Sequence, residues 1–388
     1  MFDKINLRNI DLQFLLAVLL LLATSLIVLS TASYNLVKGQ PYYYVELQTM
    51  WILSGIFLAI MVNQIDYQEL QKFSGYIYGF NILLLAAVFI FGSESKGATR
   101  WIPITSSFAI QPSEFAKILM ILSFSDFLAK RQGKLNRFRD FIAPFLYVLV
   151  PMLLIFKQPD LGTSLVFMAI FIGMMFIAGA NIRKFGGLLL TGVTAVGIAL
   201  WLHFSTNLPS WLKFAEGLPL PMKDYQLKRL TVFINPASDS AGDGYNILQS
   251  MWALGSGGFW GKGFRQGTQG QLSFLPEHHT DFIFAVFSEE FGFIGVITLL
   301  FFFLIFLLRG INIAMHARDL YGVLIASGII TMISFHILVN AGMNSGIMPV
   351  TGIPLPFISY GGSAMWANMI SIGLLLNINL RSRRLLFK

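Results

Sequence analysis

The chain has 388 residues, of which 55% are hydrophobic and only 12% charged, with a formal charge of +8. A soluble globular chain carries about 25% charged residues, so the composition excludes a string of water-soluble domains and predicts a protein dissolved in lipid. The lack of cysteine excludes disulfides, thiolate nucleophiles and Cys-ligated metal centres, and basic cytoplasmic loops account for the positive charge without nucleic acid.

A helix crossing a bilayer needs about 20 mostly apolar residues. Ten runs qualify, at about 12–31, 47–64, 75–92, 113–129, 141–157, 163–180, 185–204, 281–308, 321–341 and 365–380. The first is too long for a signal-peptide core and reads as a retained helix. The predicted fold is an all-α polytopic membrane protein of about ten transmembrane helices. It forms one integral-membrane domain over 1–388, with one large extracellular loop at about 205–280. One set of short loops, with the two termini, holds 16 of the 27 basic residues, from Lys4 and Arg8 through Lys130 to Arg139 and on to Lys388. The positive-inside rule therefore places both termini in the cytoplasm and the 205–280 segment outside. Within that segment the amphipathic stretch from Asp224 to Phe233 predicts a short helix lying on the membrane.

In so apolar a chain, ionisable groups near the membrane are the informative ones. At Gln111-Pro112-Ser113-Glu114-Phe115-Ala116-Lys117, Pro112 and Ser113 suit a helix start, and Glu114 and Lys117 share a face at i,i+3. The pair is either a structural ion pair or the lining of a polar cavity. The preceding Lys96, Gly97, Arg100 and Trp101 put more cationic groups at the same surface and favour the cavity. Lys157 to Ser164 joins two short spans, and Asp160 reads more readily as a helix N-cap than as a ligand-binding group. The richest segment runs from Leu275 through Glu277-His278-His279-Thr280-Asp281 to Ser288-Glu289-Glu290. Asp281 sits at the mouth of the eighth span, as an N-cap or as a general base. Glu289 and Glu290 lie roughly 12 Å deeper at 1.5 Å per residue, and at least one of them is expected to pair with a base such as Lys117 or to be protonated. Adjacent His278 and His279 do not face one way on a helix, which argues against a metal site there. His336, Asn340 and Asn344 form a polar stripe at i,i+4, read as interhelical hydrogen bonding. Pro354 to Ser363 reads as a rigid groove wall. Gly255 to Gly263 lacks the Gly-Lys-Ser/Thr of a phosphate loop and reads as flexible backbone near a ligand.

Taken in order, Gly97 to Trp101, Gln111 to Lys117, Gln158 to Gly162, Gly255 to Gly263, Leu275 to Glu290 and Pro354 to Ser363 resemble the SEDS family (shape, elongation, division and sporulation), the polytopic peptidoglycan polymerases of bacteria. Gln266 to Gln269 and Met348 to Pro356 point to its elongation branch rather than its division branch. The resemblance implies a glycosyltransferase of the bacterial cytoplasmic membrane. Its substrate would be lipid II, the undecaprenyl diphosphate-linked disaccharide pentapeptide, and its partner a class B penicillin-binding protein transpeptidase. The family's essential aspartate maps onto Asp281. An α-linked donor giving a β-1,4 product means inversion, for which one base suffices, and general-base help is typically worth about 10²–10⁴-fold. Asp281 is the expected base. Lys117, Arg100 and Lys262 are expected at the diphosphate, with Glu114, Asp160 and Glu289 as further substrate-binding residues. A divalent cation, Mg or Mn, held by Asp281 is a competing role for that residue. A lipid II flippase and a scaffold for the penicillin-binding protein are the alternative functions.

Overall fold

The computed structural model describes residues 11–95, 98–105, 108–204, 224–239, 242–268 and 274–382. The helices are α1 (Leu12–Ala32), α2 (Tyr43–Gln64), α3 (Tyr67–Lys72), α4 (Ser74–Phe91), α5 (Pro112–Ala129), α6 (Ile142–Lys157), α7 (Leu161–Ile177), α8 (Ile182–Phe204), α9 (Asp224–Ile234), α10 (Asp243–Gly257), α11 (Ile283–Met315), α12 (Leu320–Asn344) and α13 (Gly362–Leu380). Eight of them, α6 taken with its leading turn from Phe138, are long and apolar enough to cross a membrane. With α5 and the 17-residue α7 they make ten, one at each run predicted from the sequence. α5 stands out because it carries Glu114, Lys117 and Asp126, all buried inside the bundle. The chain is a multi-pass membrane protein.

The helices begin where the sequence supplies caps. Asp11 accepts from the Phe14 amide at 3.0 Å, Asp160 from Thr163 at 3.0 Å and Asp319 from Gly322 at 2.8 Å, each satisfying an amide that has no partner inside its helix. The most extensive packing is α2 on α13, followed by α1 on α11, with α12 resting on α7 and α11. Phe14, Phe124, Phe167, Phe303 and Phe306 fill the centre. α8 is the exception: it lies almost wholly exposed and touches the rest near its start, at the turn before α6.

Antiparallel neighbours give the molecule two polar faces. One carries the ion pairs Arg309–Asp11 at 2.5 Å and Arg381–Asp66 at 3.6 Å, and Lys130 on buried Asp126 at 2.6 Å. The other carries the turn before α11 and the loop between α12 and α13. It also holds a small antiparallel sheet, β1 (Ser93–Ser95), β2 (Ala98–Thr105) and β3 (Phe108–Ile110) in order β1-β2-β3. The sequence reading has only a loop at this sheet. The register of β2 on β3 slips just after Pro103, which has no amide to give to the ladder. The amphipathic helix expected from Asp224 is present as α9.

The glycine-rich segment is a packing seam, contrary to the expectation of flexible backbone beside a ligand. α11 is kinked at Gly292, whose φ of 62° is left-handed. The backbone groups released there are met by the seam: Lys262 and Gly263 amides donate to the Glu289 and Glu290 carbonyls at 2.9 and 3.0 Å, and the Phe293 amide donates to Gly258 at 3.0 Å.

Candidate active site

A cavity of about 510 Å³ opens on the face that holds the sheet. Six separate stretches wall it. Arg100 and Trp101 come from β2, Gln111 and Glu114 from the start of α5, Arg229 from α9, Asn246 from α10, Glu277 and Thr280 to Phe282 from the turn before α11, and Gly352, Pro354 and Tyr360 from the loop before α13. Two guanidinium groups thus face the same space as three carboxylates.

Asp281 is aimed by its backbone. The N-cap of α11 is Phe282, without a side-chain cap bond, so Asp281 stands one residue before the N-cap and lines the cavity. The turn closes through the Thr280 and Phe282 amides, which donate to Glu277 O at 3.1 and 3.2 Å. The loop before α13 grips it from the side: Ser359 Oγ donates to Thr280 O at 2.7 Å and the Tyr360 amide to His279 O at 3.1 Å. Burial pushes the Tyr360 phenol above its ordinary range, so at neutral pH it is an uncharged donor on the cavity wall.

The remaining predicted residues fall at three depths. Glu114 lines the cavity, and Lys117 lies directly behind it, only 2% exposed, with Nζ 3.0 Å from both Glu114 oxygens and 3.2 Å from His336 Nε2. All three ammonium donors are therefore taken. Because His336 Nδ1 faces Pro354 O at 3.3 Å, the consistent tautomer carries its proton on Nδ1 and accepts from the lysine on Nε2. Arg100 lines the cavity from β2 and is anchored on the α6–α7 turn. It donates to Gln158 O at 3.3 Å and to Pro159 O, and lies 3.9 Å from buried Asp160. Asp160 caps α7 and is a second layer behind Arg100. Lys262 and Glu289 are brought together with each other, at 2.5 Å, away from the cavity. Glu289 also accepts from the Thr268 amide and hydroxyl, at 2.9 and 2.7 Å. Of Glu289 and Glu290, at least one is expected to pair with a base such as Lys117 or to be protonated; Glu289 pairs with Lys262, while Glu114 occupies Lys117 from one helical turn away. The site has members that the sequence alone does not single out. Arg229 shares a face of α9 with buried Gln226 at i,i+3, and that spacing was the available signal. Glu277 has a left-handed φ of 52°, which no local pattern announces.

The model of the FtsW/RodA/SpoVE family, described as a cell cycle protein, matches residues 11–384. The chain is 36% identical to the peptidoglycan glycosyltransferase RodA of Treponema pallidum, over 86% of this chain and 89% of that one. It is 37% identical to the peptidoglycan glycosyltransferase MrdB of Escherichia coli K12, over 99% and 96%. A structure described as showing the coordination of polymerization and crosslinking by a peptidoglycan synthase complex superposes with a TM-score of 0.77 at 28% identity, covering 95% of this chain and 97% of that one. The crystal structure of the rod shape determining protein RodA of Thermus thermophilus superposes with a TM-score of 0.68 at 27% identity, covering 96% and 98%.

Proposed function

The chain belongs to the FtsW/RodA/SpoVE family and is a peptidoglycan glycosyltransferase, and we propose that it polymerises lipid II in the 510 Å³ cavity with Asp281 as general base. The carrying observation is that one cavity is lined by this carboxylate and by two guanidinium groups, the charges that an inverting transfer from a sugar diphosphate needs.

Asp281 takes the proton of the acceptor 4-hydroxyl as that oxygen attacks the anomeric carbon of the lipid-linked donor. The bond from that carbon to the diphosphate breaks, and the electron pair leaves with undecaprenyl diphosphate. Arg100 and Arg229 stabilise the charge that develops on the leaving group, in a site where fixed cations act more strongly than in water. Lys117 acts from behind, holding the Glu114 carboxylate on the wall. A magnesium or manganese ion would take one or two carboxylates and diphosphate oxygens. Asp281 and Glu277, both on the cavity, would hold it, and it would supply further neutralisation of the leaving group. Among the described residues no group of three or more metal-ligating side chains stands together, so such an ion would depend on the substrate for its remaining ligands.

The proposed orientation has both termini in the cytoplasm, supported by the basic loops, and the cavity at the outer leaflet, where a lipid-linked substrate needs no nucleotide. A class B penicillin-binding protein is the proposed partner, supported by the match to a synthase complex. Elongation is the proposed process, supported by the match to a rod shape determining protein. The deciding experiment is polymerisation of fluorescent lipid II by the purified protein. The expected result is glycan polymer from the unaltered chain and none from a folded Asp281→Asn variant. Translocation of lipid II without polymer would turn the assignment to a flippase, and polymer from the variant would remove Asp281 from the chemistry.

A further inference from the structure

The polar stripe of α12 reaches the backbone of the cavity-lining Asp281 and does more than tie helices together. Asn340 and Asn344, one helical turn apart and both fully buried, turn their side-chain amides towards one atom: the main-chain carbonyl oxygen of Asp281, which accepts from Asn340 Nδ2 at 3.0 Å and from Asn344 Nδ2 at 3.2 Å. That carbonyl lies one residue before the N-cap of α11. The first carbonyls of the helix ladder belong to Phe282, which accepts from Ala285 and Val286 at 3.0 and 3.4 Å. The Asp281 carbonyl is thus a partly buried acceptor that α11 does not use, and the two asparagine amides supply its donors.

We infer that Asn340 and Asn344 are positioning residues for the catalytic carboxylate: by gripping its carbonyl they fix the peptide plane of Asp281 and hold the side chain in the cavity. The grip is itself held in place. Asn340 Nδ2 also donates to Ile353 O at 2.8 Å, which joins the same amide to the loop whose Gly352 lies beside the Asp281 carboxylate. The hydroxyl of Ser250, from α10, lies 2.9 Å from the Asn344 main-chain oxygen and 3.1 Å from its Oδ1, so its one proton ties this end of α12 to α10. Asn344 Nδ2 also donates to Asn340 O at 2.8 Å, which links the two asparagines to each other. Three elements, α10, α12 and the loop before α13, thereby converge on one peptide group.

The inference rests on Asp281 as the base, and the test separates the two. Asn340→Asp and Asn344→Asp keep the shape but replace donors by acceptors. Asn344→Leu removes the polar end, and Ser250→Ala loosens the anchor while leaving Asn340 and Asn344 intact. Polymerisation rates are measured against lipid II concentration, with thermal unfolding of each purified variant and with lipid II photocrosslinking in an Asp281→Asn background. The expected result is a fall in kcat on the order of 10²-fold for the asparagine variants, the scale of a misplaced reacting group. A few-fold fall is expected for Ser250→Ala. KM and photocrosslinking should stay within about twofold, since substrate contacts are untouched. Unchanged kcat in Ser250→Ala and in whichever asparagine variants fold would overturn the inference, as would losses of kcat and lipid II binding in equal proportion. An active Asp281→Asn protein would instead overturn the assignment of the base.

Discussion

Lys117 has three donors and three acceptors around it, from Glu114 and His336, inside a bilayer-spanning bundle. Removing one partner of a buried pair leaves the other charge uncompensated and costs about 3–5 kcal/mol. Lys117→Ala should therefore lower both thermal stability and polymerisation more than Glu114→Gln, in which the lysine keeps His336 and an amide oxygen. Unfolding curves and polymer yields of the two variants check this. The double exchange Glu114→Lys with Lys117→Glu restores the pair but sets a carboxylate against His336 Nε2 and a cation on the cavity wall. Its activity should stay well below that of the unaltered chain, and full recovery would reduce the pair to a structural strut. The pair itself was legible in the sequence because i,i+3 spacing is a local rule. The third partner, His336, was not: it lies 219 residues away, and nothing short-range links the two.

The kink in α11 makes the sharpest demand among the helices. A Cβ at Gly292 would sit 2.2 Å from the Gly261 amide nitrogen, and its φ of 62° is one that L side chains rarely adopt. Gly292→Ala should destabilise the protein by several times the ~1 kcal/mol that separates glycine from alanine in an ordinary helix, because steric overlap adds to strain, and it should straighten α11 or expel the seam. A thermal-unfolding midpoint lowered by less than a few degrees would contradict the close approach. The ten apolar runs were readable because hydrocarbon imposes one requirement, a long apolar helix, that composition states outright. The sheet from Ser93 to Ile110 was less so, since β1 and β3 have only three residues each and the eight of β2 do not alternate. Asp160 fell on the capping side of its two readings, for a reason visible in the sequence: Thr163 follows three residues later, and both its amide and its hydroxyl bond back to the aspartate.

At the scale of the whole molecule, the cavity belongs to no single stretch of chain, and the side of the membrane it faces is set by charges far from it. Single cysteines introduced as Gln132→Cys and Ser238→Cys, both at exposed positions, should label oppositely with an impermeant maleimide in intact cells, the second reacting and the first not. The reverse pattern would put the cavity in the cytoplasm and end the case for an outer-leaflet polymerase. The same distribution over the chain bears on how the protein is made. A lone charge near a helix centre costs about 2.5–3.5 kcal/mol to insert, yet α5 must enter the bilayer with Glu114 and Lys117 aboard. His336 emerges from the ribosome on the order of ten to forty seconds after Lys117, at about 5–20 residues per second. Because the carboxylate and the ammonium sit one turn apart on the same helix, they can cancel each other as soon as that helix forms. With Asp126, near the other end of α5, met by Lys130 four residues on, the segment can thus pass from the translocon into lipid as an electrically neutral passenger, well before the rest of the site has been synthesised.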